Sequence, residues 1–429
     1  MGERARVRRA PLLLLLVGTA ATGAALAQQT VPQPEGVEAA PEVGWTQYLN
    51  PLKWPFIPIP VIITDPNSGT TIGLLPTWLR TDEQGHIDQI IAPDVQHNPY
   101  FGWGAHARFL AYPSQNTDWS VVVGAFEKVQ RKVDLEYEAG RLREERWYFN
   151  TILLYQRDGT PRFYGIGNST PESGQTDYTS EQQLAEVDIG LNFTKAWQLL
   201  YTLRSQQIDV LPGTLPGIPS IEKLYGEEVL GTNHEVLNQL SLVYDTRDDL
   251  TMPTSGMRLI AYGGVAKDGA FGALRYNEVG VDGRVFWPVR PTTVIAAHVA
   301  LRYLPTLERA AFWELSTIGG GHSVLGGEQP LRGFGEGRFT DRNSFSMTVE
   351  ARQRLLGLDL FKTHVDLEAA PFVDVGEVFE RMSASPVSQL HKVIGVGVRG
   401  VARPFVVAYV DVGYGSEGAA VFTGLNYPF

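Results

Sequence analysis

From Ser344 the chain alternates strictly, with Phe345, Met347, Val349 and Ala351 on one parity and Ser346, Thr348, Glu350, Arg352 and Arg354 on the other. A period of two belongs to an extended strand whose faces meet different surroundings. A second stretch sets Val365, Leu367, Ala369, Val373 and Val375 against Asp366, Glu368 and Asp374, and a third sets Val406, Ala408, Val410 and Val412 against Tyr409 and Asp411. A soluble sandwich would carry the same alternation with its apolar face inside and its charged face in water. Length separates the two: these repeats run about 10–14 residues, a tilted crossing of a hydrocarbon layer, whereas globular strands average about 5–6.

The pattern predicts strands at about 70–80, 100–112, 117–126, 131–141, 146–157, 180–194, 196–209 and 236–246. It continues at about 256–266, 272–287, 292–304, 343–356, 364–377, 390–401, 404–414 and 419–429. The expected fold is all-β, a transmembrane antiparallel β-barrel of 16 strands; residues 59–64 and 86–96 are also strand-like, which makes 18 the competing count. Trp147, Tyr148, Trp197, Tyr244, Trp287, Tyr303, Tyr414 and Tyr427 fall near strand ends, where an interfacial aromatic girdle would sit. Short connections alternate with long ones at 158–179, 210–235 and 305–342, and barrels of the outer membrane keep their long loops outside. Both termini are then expected in the periplasm.

The N-terminus reads differently. Arg4, Arg6, Arg8 and Arg9 precede an apolar run from Pro11 to Leu26 that ends Ala25-Leu26-Ala27, the pattern of a secretory signal cleaved after Ala27. A buried N-terminal helix is the competing reading; the run is too short for a membrane span. Residues 28–69, with Pro32, Pro34, Pro41, Pro51, Pro55, Pro58 and Pro60, are expected to form a periplasmic stub, with the barrel occupying 70–429. At about 40 residues the stub is too small for an ordinary independent domain.

Composition narrows the chemistry. The formal charge is −11, and removal of the leader takes four Arg and Glu3 and makes it more negative, which argues against a nucleic-acid partner. No cysteine is present, so disulfides, thiolate metal sites and Cys nucleophiles are excluded. The 8 His show no metal-ligand spacing, and no cofactor is expected.

Two motifs invite catalytic readings. Gly395-Val396-Gly397-Val398-Arg399-Gly400 matches the dinucleotide fingerprint by letter, but no helix opens after it, and small lumen-facing residues account for its glycines. Gly321-His322-Ser323 lacks the second glycine and the strand–turn–helix setting of a nucleophile elbow. His298, His364 and His391 lie on different strands with no serine at predictable register, so a membrane hydrolase is the weakest reading and no enzyme is expected.

The remaining motifs point one way. The long loop at 305–342 holds Gly319-Gly320-Gly321 and then Leu331-Arg332-Gly333-Phe334; Glu350 and the strand Phe372-Val373-Asp374-Val375-Gly376 follow on lumen-facing parity. Asp245-Thr246-Arg247-Asp248-Asp249 leads into Pro253-Thr254-Ser255-Gly256, and Phe163-Tyr164-Gly165-Ile166-Gly167-Asn168 stands earlier. In their order and spacing these segments resemble the BamA/TamA superfamily of outer-membrane insertases and translocators, the bacterial surface antigen family, from about Gly69 to Phe429.

The resemblance implies that the loop folds into the lumen and that Arg332 pairs with Asp374 and Glu350, with Gly333 and Gly376 allowing close approach and Phe334 packing against the wall. A guanidinium offers fixed donors to two carboxylates at once. It also implies that Gly424, Tyr427 and Phe429 form the C-terminal signal read by the assembly machinery; Phe422 stands where the family prefers a polar residue. Expected partners are outer-membrane lipids, that machinery and an unidentified periplasmic receptor. Family members carry periplasmic repeat domains that the stub cannot hold.

Two functions compete beside hydrolysis. One is assisted insertion or translocation of proteins, with lipids as a second cargo, through lateral opening between 70–80 and 419–429. The other is a passive channel or structural surface barrel, with Asp366, Glu368, Asp374, Glu350, Arg352 and Arg354 setting selectivity.

Overall fold

The computed structural model describes residues 56–65, 67–81, 87–114, 116–250, 252–320, 331–360, 363–382, 387–402 and 406–425, all within one compact unit, Tyr48–Phe429. The leader, the stub up to residue 55, Gly321, Tyr427 and Phe429 lie outside these residues. Twenty strands form a single sheet in which sequence neighbours pair antiparallel, from Ile57–Asp65 round to Gly418–Leu425. The sheet closes on itself where Thr64 stands opposite Val421.

Ile87–Ile91 and Asp94–Asn98 are halves of one interrupted stave, since both pair with Gly69–Thr81 and with Gly102–Ser114, and Arg162–Phe163 is a two-residue fragment beside Thr176–Asn192. The ring among the described residues therefore has eighteen staves. The leading expectation of 16 is corrected to the competing 18, and the two additional staves are the segments at 59–64 and 86–96. The first of them, Ile57–Asp65, runs through what was expected to be stub. It pairs with Gly69–Thr81 over nine residues, and its Pro58 and Pro60 disguised it, because proline is tolerated only where its missing N–H faces no ladder partner.

Burial runs opposite to that of a soluble sandwich. On Leu274–Arg290, Glu278 and Asp282 are 1% exposed and Arg284 9%, whereas Val279, Val281 and Val285 on the other parity are 46%, 45% and 40% exposed. Charges fill the interior and aliphatic side chains cover the outer wall, as alternate lumen-facing and lipid-facing positions require. Trp147, Trp197 and Trp287 stand exposed at the short-turn ends of their strands, with the Trp197 ring 4.7 Å from Tyr244. Trp103 and Tyr414 stand exposed at the long-loop ends. Tyr148 does not join the girdle: it lies one residue out of the outward parity, opposite Gly190, and its hydroxyl donates to Glu138 at 2.9 Å.

Every long connection emerges on one side of the ring. On the other, the Asp245–Gly256 turn is tied by Arg247, whose Nη2 donates to Asp245 Oδ2 at 2.8 Å, and Met252 is buried against Val401. The segments 159–175, 213–230 and 308–342 interlock on the long-loop side, where Phe163, Tyr225 and Phe312 pack ring to ring.

Candidate functional site

The loop after Thr293–Leu307 makes a short ladder, Ser316–Ile318 against Phe339–Asp341, and between these two strands it drops Leu331–Phe334 against the inner wall. Asp374 draws it there. Its Oδ2 accepts the backbone N–H groups of Leu331 and Arg332 at 3.1 and 3.0 Å and Arg332 Nε at 3.0 Å, and its Oδ1 accepts Arg332 Nη2 at 2.9 Å. Leu331 is held at φ 76°. Such a conformation costs about 1–3 kcal/mol in a residue with a Cβ and persists only where its surroundings over-determine it, as the two N–H groups bound by Asp374 do here.

The third guanidinium nitrogen, Nη1, donates to Asp411 Oδ2 at 2.5 Å and reaches Glu350 Oε2 at 3.5 Å. The guanidinium carbon lies 3.5 Å from the centre of the Phe372 ring, so the cation is stacked as well as paired. Burial alone would weaken the guanidinium's hold on its proton; Asp374 first, then Glu350 and Asp411, outweigh it and raise the pKa above the ordinary value. The expected pairing of Arg332 with Asp374 and Glu350 is thus present as geometry, with Asp374 dominant and Asp411 closer than Glu350.

Glu350 faces a different partner. Arg399, fully buried, donates Nη1 and Nη2 to its two oxygens at 2.7 Å each, and Arg352 Nε adds a bond of 2.6 Å. Three guanidiniums and three carboxylates therefore sit together on four adjacent strands and one loop, so the charges balance where burial makes any imbalance costly. Thr348, opposite His298 in register, gives its hydroxyl to Asp374 at 3.0 Å, while His298 pairs with Asp282 at 2.6 Å.

The small residues make the close approach possible. A Cβ on Gly333 would stand 2.7 Å from the Gly415 nitrogen, one on Gly413 would stand 1.8 Å from the Arg332 carbonyl oxygen, and one on Gly376 would crowd Ile318 and Leu331. Phe334 is 1% exposed and packs with Phe339, Phe372 and Val393. Gly397, inside the dinucleotide-like run, leaves room for Asp411, which agrees with its reading as a small lumen-facing residue. Gly424 pairs with Tyr409 on the closing strand.

Sequence reasoning placed Asp411 on lumen parity without joining it to Arg332, and it passed over Arg399, Glu314, Arg275 and Arg338. Glu314, in the same loop, accepts Arg275 Nε and Nη2 at 2.6 Å each, and its backbone carbonyl accepts Arg302 Nη1 at 2.9 Å. Arg338 grips Glu417 at 2.7 Å and stacks over Tyr164. The Phe163–Asn168 segment singled out earlier meets the loop directly: Gly167 bridges to Thr340, and Asn168 accepts the Val378 N–H at 3.0 Å. Alternation marks a residue as inward-facing, and no spacing rule says which inward residues meet across strands.

A closed antiparallel ring with an apolar outer wall, an ion-paired interior and a loop folded into it defines an outer-membrane β-barrel. The chain belongs to the Omp85 superfamily: residues 119–404 match the Omp85 superfamily domain. Among solved structures it is similar to BamA from Haemophilus ducreyi lacking POTRA domains 1–3, at 12% identity and a TM-score of 0.50, over 86% of this chain and 74% of that one. CdiB from Acinetobacter baumannii matches at 14% identity and a TM-score of 0.46, over 88% and 66%. No curated protein sequence matches the chain.

Proposed function

We propose that this barrel assists the insertion or translocation of proteins at the outer membrane by opening laterally between Ile57–Asp65 and Gly418–Leu425. The Arg332 loop stays in the lumen as a plug and braces the wall beside that seam. The seam replaces the one expected at 70–80, because Gly69–Thr81 is covered by Ile57–Asp65.

The observation that carries the reading is the asymmetry of pairing. Ile57–Asp65 pairs with its inner neighbour over nine residues, and Gly418–Leu425 with its own over eight, but among the described residues the two meet at the single pair Thr64 and Val421. Pro58 and Pro60 lie on Ile57–Asp65 and offer no N–H, so this edge strand has fewer donors to give a partner than an ordinary strand. An unpaired edge inside lipid is costly and ready to template another strand.

The lumen argues against a passive pore: Glu350, Arg352 and Asp374, which would have set selectivity, are committed to one another and to the loop. On this reading the short turns and both termini are periplasmic, the stub meets a periplasmic receptor, and the closing strand carries the signal for the barrel's own assembly.

A tether tests the mechanism, and the absence of native cysteine makes it clean. A disulfide between Thr64→Cys and Val421→Cys should abolish insertion of a urea-unfolded outer-membrane barrel into liposomes containing this protein, and reduction should restore it. Equal insertion with the seam sealed would overturn the proposal.

A further inference from the structure

We infer that the outer wall carries a seat for a zwitterionic phospholipid, one with phosphate and ammonium in its head, on the long-loop side of Arg131–Ala139, Trp147–Asp158, Thr176–Asn192 and Trp197–Pro212. The inference does not depend on the proposed function.

A groove of about 650 Å³ lies on this wall. Its floor is made shallow-walled by small residues, Ala185 beside Ser205 in register, while Leu135 and Leu153 stand up on one flank. All four share the outward parity of the exposed Val133, so the groove opens where acyl chains lie. Towards the long loops its lining turns polar: Gln183, Gln207 and His234 follow, with His234 Nε2 2.6 Å from Gln207 Oε1. The groove thus spans the level at which tail gives way to head.

Just beyond it the register builds a row of charge. Arg131 stands opposite Arg157, Arg157 opposite Glu181, and Glu181 opposite Asp209, on four successive staves and all on outward parity. At the spacing of paired strands the row spans about 14 Å. Two cations followed by two anions match a head that carries phosphate and ammonium side by side, and an arginine fork suits phosphate oxygens. A head bearing phosphate alone would meet Glu181 and Asp209 as like charges.

The row is also incompletely satisfied from within. Arg157 Nε and Asp209 Oδ1 have no hydrogen-bond partner although both atoms are buried. Arg157 Nε lies 3.7 Å from Glu181 Oε2, beyond hydrogen-bond reach, and Glu181 Oε1 is taken by the Tyr155 hydroxyl at 3.1 Å. The rest of the pair stays open to the outside, with the Arg157 side chain 42% and the Glu181 side chain 25% exposed, so a head group can meet the charges themselves.

Native mass spectrometry of the full chain, released from detergent with equal phosphatidylethanolamine and phosphatidylglycerol, tests this. The wild type should retain the ethanolamine lipid over the glycerol lipid by about fivefold, the scale of one partly exposed ion pair. Glu181→Gln with Asp209→Asn should remove that preference, and Arg131→Gln with Arg157→Gln should lower retention of both lipids. Ala185→Trp should reduce total bound lipid while the barrel's heat-dependent gel shift stays unchanged. Equal retention of the two lipids by the wild type, or a preference that survives the Glu181 and Asp209 changes, would overturn the inference.

Discussion

Arg332 is bound by Asp374 through two nitrogens of its side chain and one of its backbone, which ties the conformation of the loop to the position of one strand. Replacing it with Ala leaves Asp374, Asp411 and Glu350 buried with one cation fewer, a change that costs about 3–5 kcal/mol. We expect Arg332→Ala to lower the temperature of the heat-dependent gel shift, and Arg332→Lys to fall well short of rescue, because an ammonium cannot fork or stack. Unchanged midpoints would remove the lock.

Asp248 offers a second test, outside the membrane. It accepts the backbone N–H groups of Thr254 and Ser255 at 2.9 and 3.0 Å and the Thr254 hydroxyl. Burial pushes its pKa up, but these bonds, the Thr254 hydroxyl's first, bring it below the ordinary value. A depressed folded-state pKa means that the carboxylate stabilises the turn above the unfolded-state value of about 3.9 and that this is lost as pH falls through the folded-state value. Hydrogen exchange at Thr254 and Ser255, corrected for intrinsic rates, should show protection lost below that pH and absent at neutral pH in Asp248→Ala; protection unaffected by either change would contradict the assignment. At this scale Glu350 and Asp374 were legible by parity and by resemblance. Arg399 shares the lumen-facing parity of Gly395 and Gly397, but nothing in its spacing says that it meets Glu350.

At the scale of elements, each of the sixteen expected strands has a counterpart among the described residues, because most of its length alternates with lipid on one side even where Pro76 or Pro371 interrupts it. The two that were held back are those in which the local signal is broken. Pro58 and Pro60 punctuate Ile57–Asp65, and the stave at 87–98 is interrupted between Ile91 and Asp94. On the proposed reading the same prolines that hid the first strand also weaken it as an edge. Pro58→Thr with Pro60→Thr should supply two donors, slow hydrogen exchange along Gly418–Leu425 and reduce insertion activity. Faster exchange, or undiminished activity with a slowed seam, would speak against the role assigned to them.

The whole molecule separates two tasks. Its interior is stiffened by ion pairs that join the loop to the wall through Arg332 on one strand set and Glu314 on another, and among the described residues its ring is closed by a single pair, Thr64 and Val421. Inside the ring Arg399, Glu350 and Asp411 are buried at 0–1% exposure, so the proposed opening lies at the seam and not at this cluster. The inward course of the loop followed from family resemblance; the interlocking of 159–175 with it did not, because contacts between distant loops leave no period in a sequence.

Site-specific photo-cross-linking during insertion of a client barrel tests the central claim most directly. A photoreactive residue at Ile62 or at Val421 should capture the incoming chain, while the same residue at Val281, on a fully paired stretch of wall, should not. Capture of equal strength at all three positions, or at Val281 alone, would contradict the lateral seam.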